Sequence, residues 1–312
     1  MDAQPNWQIG LSTDTGPVKI ENEDAYIWRV FEDDQRRQVL MIAVADGMGG
    51  SENGAAASQL AKRVLEQWWD KRIKRTMRSE QPLQQLMSEV EPLLETIDQK
   101  LLANGSKNGT TLSILFMFQG QYAVAHIGDS RIYQLTGNQS GLQNYFRQNQ
   151  PLDLKEQDTE SLESESDLIQ LTEDHSWVEQ QIKRGLLTRE QARTHHKRNV
   201  LTQCLGIEKG IKVNEQLGVY QASDLFLLCS DGFYSLFSDE EMTQTLRGLE
   251  NEYTDLQSMS DYLVKLANYS GAYDNITVLL VRHMPVDSQA PFVEERSLTS
   301  WLSPFLKRKK AR

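Results

Sequence analysis

Runs of apolar, strand-like sequence that end in aspartate constrain the fold of this 312-residue chain more than any other feature. Residues 39–45 are continuously apolar and are followed directly by Asp46 and a glycine-rich turn. Residues 225–229 form a second such run, and Asp231 comes two positions after it. A strand without a polar face is typical of a sheet that is covered on both sides. The pattern therefore predicts a sandwich, or a sheet covered by helices, with carboxylates at its strand ends.

Helical patterns lie between these runs. Apolar residues recur three and four positions apart over 57–68 and over 83–101, and Pro92 is expected to kink or split the second helix. Further helices are predicted within 172–203 and 238–269. Strand patterns occupy 7–12, 25–31, 39–45, 110–118, 122–127, 131–135, 217–219, 225–229 and 276–281. This order predicts layers of helices and a mostly antiparallel sheet, an α+β architecture.

Two segments break the pattern. Residues 137–168 are rich in Gln, Asn and Ser, and 156–167 holds six acidic residues and no basic one. We predict that they form a disordered, solvated insertion. The basic C-terminal tail, 284–312, contains three prolines and ends with five Lys or Arg within 307–312. Two interpretations of the tail stay open: a frayed solubilising end, or an amphipathic anchor that touches a partner or an anionic membrane surface.

The composition excludes several classes of function. The chain has 33 Lys and Arg against 44 Asp and Glu, a net charge of −11, which argues against bulk nucleic-acid binding. Its apolar runs are far shorter than the roughly 20 residues of a transmembrane helix, and we expect no secretory signal. Two cysteines cannot build a disulfide framework. A reducing compartment, most simply the cytoplasm, is therefore expected.

Five aspartates flank predicted strand ends or glycine turns: Asp24, Asp46, Asp129, Asp231 and Asp274. Each one alone is typical of an ordinary turn. Gathered at one edge of a sheet, they would repel each other unless cations neutralised them. Oxygen ligands without a His or Cys cluster favour Mg²⁺ or Mn²⁺ over Zn²⁺. The set therefore predicts a site for hard divalent ions.

Eight segments in order resemble the metal-dependent Ser/Thr protein phosphatases of the protein phosphatase 2C type, in their bacterial form. They are 19–26, 44–50, 109–112, 126–133, 171–177, 198–206, 227–232 and 273–278. The resemblance implies a central sandwich of two mostly antiparallel β-sheets flanked by helix pairs, with a small flap subdomain at 171–206. It makes 1–283 the catalytic domain and leaves 284–312 as the tail.

The resemblance also implies the ligands of two Mn²⁺ or Mg²⁺ ions and of a third, more weakly bound ion. Asp46 would bridge the two ions, and the Asp129 carboxylate is linked to the third. The implied metal-site residues are Asp24, Asp46, Gly47, Asp129, Asp231 and Asp274, with Glu23 and Asn275 behind them. The implied flap residues beside the site are Thr172, His175 and Trp177.

The implied reaction is hydrolysis of phosphoserine or phosphothreonine by a hydroxide that bridges the two ions. Lys19 stands where the family usually has a phosphate-binding Arg, so the charge is kept and the bidentate fork is lost. Met48 stands where eukaryotic members have a candidate general acid, so protonation of the leaving group would fall to metal-bound water.

The implied substrate is a phosphorylated protein, and the phosphatase would oppose a Ser/Thr kinase. One alternative is a weakly active or inactive signalling or binding module on the same fold, which Lys19 favours. Another is a structural domain whose aspartates only cap turns. The strand that precedes the acidic insertion leads away from Asp129 by about 3.3 Å per residue. We therefore predict that the insertion sits at the far end of the sheet, where it contacts a partner or nothing; a competing possibility is that it folds back and repels phosphorylated substrates.

Overall fold

Two β-sheets pack face to face at the centre of the fold. The computed structural model describes residues 6–49, 54–103, 108–137, 167–207 and 210–284. Nearly all of the predicted insertion and of the basic tail lies outside these residues, so their predicted states stay predictions. The strands are β1 (Trp7–Asp14), β2 (Asp24–Glu32), β3 (Gln38–Met48), β4 (Gly109–Thr110), β5 (Leu112–Phe118), β6 (Gln121–Ile127), β7 (Arg131–Leu135), β8 (Leu168–Gln170), β9 (Asn214–Val219), β10 (Leu225–Cys229) and β11 (Ile276–His283).

One sheet has the strand order β1-β11-β10-β7-β8, and the other has the order β2-β3-β5-β6-β9 with β4 beside β3. Every strand pair in the described part of the chain is antiparallel, which confirms the predicted sheet type. The β5–β6 hairpin turns through Gln119 and Gly120, both with positive φ, as a tight hairpin requires.

Helices cover the outer face of each sheet. Helices α1 (Gly54–Thr76) and α2 (Pro82–Ala103) pack on the β2-β3-β5-β6 side, and α6 (Asp239–Glu252) and α7 (Leu256–Tyr269) pack on the other sheet. The remaining helices in the described ranges are short: α3 (Trp177–Lys183), α4 (Arg189–Thr194) and α5 (Asp231–Tyr234). The result is the predicted sandwich flanked by helix pairs. No helix within those ranges has the length and apolar character needed to span a bilayer.

Strand β3 shows why a continuously apolar run fits this architecture. Val39, Met41 and Ala43 belong to the core between the sheet and helices α1 and α2. Leu40 and Ile42 belong to the core between the two sheets. Successive side chains of a strand point to opposite faces, and here both faces are dry. The prediction of burial on both sides of this run is confirmed.

Helix α2 differs from the sequence prediction at one point. It runs through Pro92 as a single helix, so the expectation that Pro92 splits it is wrong. The apolar residues beside the proline, Val90, Leu93 and Leu94, stay buried in the core that the helix forms with the sheet. Tertiary packing of this face outweighs the hydrogen bond that proline removes.

The flap segment, 171–206, carries α3 and α4 and is anchored on β7 and on the β6–β7 turn. The Arg131 guanidinium makes a bidentate contact with the Asp174 carboxylate, with Nη2–Oδ2 at 2.7 Å. It also lies 3.8 Å from the ring centroid of Tyr234. The His175 N–H donates to the Gly128 carbonyl, and the Gly128 N–H donates to His175 Nδ1. These contacts fix the base of the flap beside Asp129.

Replacing Asp174 with Asn should destabilise the protein by about 3 kcal/mol, because the mostly buried Arg131 guanidinium would lose its counter-charge. The free energy of unfolding in urea measures the loss. The exposed Lys183–Glu173 pair in the same segment is the matched control, and Glu173→Gln should cost less than about 1 kcal/mol. Equal losses in the two variants would contradict a structural role for the Arg131–Asp174 contact.

Candidate active site

The five predicted aspartates lie where the ends of the two sheets meet. Asp24 and Asp46 are directly opposite each other on β2 and β3. Asp231 follows β10 and Asp274 precedes β11, and these two strands pair in the other sheet. Asp129 lies in the turn that carries the chain from β6 to β7, and so from one sheet to the other. The sandwich therefore brings carboxylates from five separate stretches of sequence to one end.

Hydrogen bonds from neighbouring threonines fix the backbone of Asp46. Its N–H donates to Thr111 Oγ1 at 2.8 Å, and its carbonyl accepts from the Thr111 N–H at 2.9 Å and from the Thr110 hydroxyl at 3.0 Å. The Thr111 hydroxyl also lies 2.7 Å from that of Ser130, which follows Asp129. The backbone that carries the Asp46 carboxyl is thus held in place before any ligand binds.

Asp24 lies behind the other carboxylates and bridges the two sheets. Its Oδ2 accepts from the hydroxyls of Thr277 at 2.6 Å and of Ser230 at 2.8 Å. Its Oδ1 is buried without a hydrogen-bond partner, and the same holds for Oδ1 of Asp231. Buried polar atoms of this kind are rare and require an explanation. A cation between the carboxylates would satisfy both oxygens.

Burial and mutual repulsion disfavour the charged forms of these groups. Burial, with the added negative charge of Asp274, raises the pKa of Asp24 to about 7 and the pKa of Asp231 to about 6. Burial together with the neighbouring aspartates also holds the pKa values of Asp46 and Asp129 well above the ordinary range. A site of this kind binds either protons or cations.

Asn275 holds the loop that carries Lys19. Its Oδ1 accepts from the Glu23 N–H at 2.9 Å, and its Nδ2 donates to the carbonyls of Thr15 and Glu21. Glu23 in turn accepts the N–H of Gly54, the first residue of α1, on its Oε1. Both residues predicted to stand behind the ligands therefore position the loop and the helix beside the site.

Lys19 lies at the edge of the carboxylates. Its Nζ is 2.7 Å from Asp274 Oδ1 and 3.7 Å from Glu23 Oε2. The neighbouring charges of Asp274, Glu23 and Asp46 raise its pKa against the effect of burial, so the side chain is a stable cation. A further anion that enters the site, such as a phosphate group, would find this ammonium already in place.

A cavity of about 440 Å³ opens over the carboxylates. The predicted residues that line it are Lys19, Glu23, Asp46, Gly47, Asp129, Asp231 and Asp274. Its opposite wall comes from the end of the flap and the loop after it: Asn199, Leu201, Thr202, Gln203, Cys204, Ile207, Gly210 and Ile211. The wall residues from Asn199 to Cys204 fall within the predicted flap, 171–206, and within the family-like segment 198–206, but none of them was predicted individually as a site residue. Ile207, Gly210 and Ile211, in the loop after the flap, carry no recognisable sequence signal.

The three predicted flap residues lie at the base and side of the flap and are not among the residues that line this cavity. The Thr172 hydroxyl accepts the N–H of Ile132, and Thr172 is buried beside β7. His175 contacts Gly128, as described above. The Trp177 ring stacks on that of His195 with a centroid distance of 4.9 Å, and Lys197 Nζ lies 4.7 Å from its centroid. These residues support the flap, and its far end forms the wall.

The donor set fits hard divalent ions. No three His, Cys, Asp or Glu side chains in the described ranges converge tightly enough to form a complete ligand set by themselves. Mg²⁺ and ions like it commonly take one or two carboxylates each and keep several waters. The orphan oxygens of Asp24 and Asp231, the carboxylates around them and the adjacent Gly47 suit that mode of binding.

Manganese should stabilise the protein more at pH 7.5 than at pH 5.5. Since the folded-state pKa values of Asp24 and Asp231 lie above the usual value of 3.8, their protonation stabilises the metal-free fold at low pH. This contribution is complete below about pH 4 and is lost as the pH rises through about 6 to 7. At pH 7.5 the ion binds carboxylates that have already lost their protons, whereas at pH 5.5 it must displace those protons.

The measurement is the melting temperature in chelator and in millimolar Mn²⁺ at both pH values. The Asp46→Asn, Asp231→Asn double variant serves as the control and should lose most of the gain at pH 7.5. A gain that is equal at the two pH values, or that persists in the double variant, would place the ion elsewhere.

Comparisons with known proteins agree with this geometry. A family model described as protein phosphatase 2C matches residues 18–274. The serine/threonine phosphatase stp of Listeria monocytogenes serotype 4b (strain F2365) is 33% identical over 273 residues, which cover 86% of this chain and 93% of that protein. The protein phosphatase PhpP of Streptococcus pneumoniae serotype 2 is 30% identical over 288 residues, which cover 90% of this chain and 100% of that protein.

Solved structures share the fold. The S. agalactiae serine/threonine phosphatase superposes with a TM-score of 0.68 at 26% identity, and covers 88% of this chain and 99% of its own. The catalytic domain of the phosphatase PstP, in complex with two manganese ions, gives a TM-score of 0.63 at 24% identity over 89% of this chain and 99% of its own. Because the family model spans most of the sequence and the relatives align over nearly their whole lengths, this chain belongs to the protein phosphatase 2C family.

Proposed function

We infer that the chain hydrolyses phosphoserine and phosphothreonine in proteins, as a divalent-metal-dependent phosphatase whose active site is the carboxylate cavity. The observation that carries this proposal is the convergence of five aspartates from distant stretches of sequence beside one fixed cation, Lys19. The names of the stp and PhpP relatives support the same activity. The phosphorylated substrates would be products of a Ser/Thr kinase, which would be the opposing enzyme.

We assign the ligands of the ions on position and chemistry. Asp46 is central, since it lies between Asp24 on the next strand and Asp231 from the other sheet. Asp46, Asp231, Asp274 and the Gly47 carbonyl would together hold the two ions that the family resemblance implies, with waters as the remaining ligands. Asp129, at the flap side of the cavity, would hold a third and weaker one. Bound divalent ions supply positive charge for the phosphoryl oxygens and lower the pKa of a coordinated water.

The protein's own residues orient the substrate and close the site. Lys19 would bind a phosphate oxygen through a single ammonium, which attracts the charge without the two-pronged geometry of arginine. Thr110 and Thr111 hold the Asp46 backbone, so that its carboxyl lies at the cavity. The flap residues Asn199 and Leu201 to Cys204 form the opposite wall of the cavity.

A covalent phospho-cysteine is not required by this arrangement. Cys229 is buried within β10, and burial raises the pKa of its thiol, so that it is a poor nucleophile. Cys204 lies in the cavity wall opposite the carboxylates and is itself buried. No histidine lines the cavity among the residues the structure describes. Water is therefore the nucleophile, and the proton that the leaving alkoxide needs also comes from water.

Several finer assignments belong to this proposal. We place residues 1–283 in the catalytic domain and keep two interpretations of 284–312: a solubilising tail, or a basic segment that touches a partner or an anionic membrane surface. The two cysteines are buried and neither forms a disulfide, which is compatible with a reducing compartment such as the cytoplasm. Mn²⁺ and Mg²⁺ share this ligand chemistry, and activity with each ion separates them.

Asp46→Asn and Asp231→Asn should each lower kcat/KM on a phosphothreonine peptide by about 100-fold or more, because each removes a negative ligand from the ion site. The assay compares millimolar Mn²⁺ with excess chelator, and the wild type should be active only with the metal. Asp261→Asn, on α7 and outside the cavity, is the matched control. Wild-type protein that binds Mn²⁺ by calorimetry and turns over no phosphopeptide would favour the binding-module alternative.

Lys19→Ala should raise KM for a phosphopeptide about tenfold, because an ion pair with the phosphate is lost. Lys19→Arg should keep or lower KM, since the guanidinium restores a bidentate contact. Steady-state kinetics at saturating Mn²⁺ measures both. An unchanged KM in Lys19→Ala would show that Lys19 serves only its ion pair with Asp274.

A further inference from the structure

Large apolar side chains that are exposed to solvent concentrate around the mouth of the carboxylate cavity. The structure has eleven exposed large apolar side chains in its described ranges. Five of them line the cavity or lie one residue from a side chain that does: Val18, Ile20, Val200, Ile207 and Tyr273. We call these five residues the apolar rim. Exposed apolar surface beside a polar site marks a place where a partner binds.

Three rim residues lie on the Lys19 side of the cavity. Val18 and Ile20 flank Lys19, and they are 61% and fully exposed, respectively. Tyr273 precedes Asp274 and is 76% exposed. Because Lys19 Nζ is 2.7 Å from the Asp274 carboxylate, these three apolar side chains lie on neighbouring parts of the surface. Val200 and Ile207 stand on the flap side, across the cavity.

The loop that carries Val18 and Ile20 is held in place from within. Asn275 donates to the carbonyls of Thr15 and Glu21 at its two ends. Gly16 has a φ of +76°, and a Cβ there would lie 2.4 Å from the Asp274 carbonyl oxygen. A surface that is already ordered costs less conformational entropy when a ligand binds to it.

A substrate that places its phosphate among the carboxylates must pass over this rim. An extended peptide advances about 3.3 Å per residue, so the one to three residues on either side of the phosphorylated one lie within about 10 Å of it. Ile207 lines the cavity, and the other four rim residues each adjoin a lining residue in the chain, so they lie where such neighbours would pass. Its apolar side chains are complementary to apolar neighbours, and the net charge of −11 disfavours acidic ones.

We propose that the apolar rim selects phosphoprotein segments that carry aliphatic or aromatic side chains next to the phosphorylated residue. The proposal rests on the phosphatase activity inferred above and adds a substrate class to it. Ile20 and Tyr273 are the residues whose side chains the substrate would cover most, since they are the most exposed members of the rim beside Lys19. The rim acts on binding of the peptide and takes no part in the chemistry.

The test uses the full chain with Mn²⁺ and two phosphothreonine peptides that are identical except for Leu or Ser on both sides of the phosphothreonine. The readout is the ratio of kcat/KM for the Leu peptide to that for the Ser peptide. Wild-type protein should prefer the Leu peptide about tenfold, and Ile20→Asn and Tyr273→Ser should each reduce that preference several-fold. The control is Val219→Ser, which removes a similarly exposed apolar side chain at the opposite end of its sheet, where Val219 pairs with Gln121.

The outcomes separate the selectivity from the activity. Hydrolysis of p-nitrophenyl phosphate with no preference between the peptides overturns the selectivity and leaves the phosphatase assignment intact. A preference that survives both rim substitutions also overturns it. The selectivity is also overturned if a rim substitution dissociates a dimer in sedimentation and leaves the kcat/KM ratio of the two peptides unchanged. The rim would then bind a second copy of the chain. Failure to hydrolyse any of the three substrates removes both proposals.

Discussion

The repulsion among carboxylates that share one end of the sandwich is the constraint on which the rest of this structure depends. Burial and the neighbouring charges raise the pKa of Asp24 to about 7, and the aspartates around Asp46 oppose its ionisation in the same way. Such a group of charges lowers the stability of the fold unless cations compensate for it. The strands that carry the aspartates must therefore be held by other interactions, and the three dry cores on the two faces of each sheet provide them.

Short hydroxyl side chains connect those cores to the carboxylates. Thr111 and Ser130 link the end of β3 to the β6–β7 turn, and Thr277 joins Asp24 across the sandwich. The Thr277 hydroxyl holds the Asp24 carboxyl directly, whereas the Thr111–Ser130 contact holds the backbone beside Asp46 and Asp129, and neither contact adds a positive charge. The negative charge stays available for an ion, while the backbone around it is rigid. Because these hydroxyls are hydrogen-bonded, polar residues are tolerated here at the ends of otherwise apolar strands.

Sequence reasoning could anticipate the parts of the site that depend on periodicity and strand ends. The apolar run before Asp46 required burial on both faces, and that requirement alone indicates a covered sheet. The position of Asp24 behind the cluster could not be inferred, because it depends on hydroxyls from Ser230 and Thr277, more than 200 residues away. The family resemblance implied a flap beside the site, but which of its residues form the wall escaped prediction for a related reason. Its residues reach the cavity through the orientation of the whole flap, which no local pattern encodes.

Arg131 supports that orientation together with the hydrogen bonds between His175 and Gly128. Arg131 lies two residues after Asp129, pairs with Asp174 at the start of the flap and stacks on Tyr234, three residues after Asp231. Its guanidinium therefore contacts the flap and the chain segments of two carboxylates at once. A planar cation with five donors can do this, whereas an ammonium on a flexible stem cannot. The flap and the chain segments of Asp129 and Asp231 therefore share one support, which couples the position of the flap to that of the carboxylates.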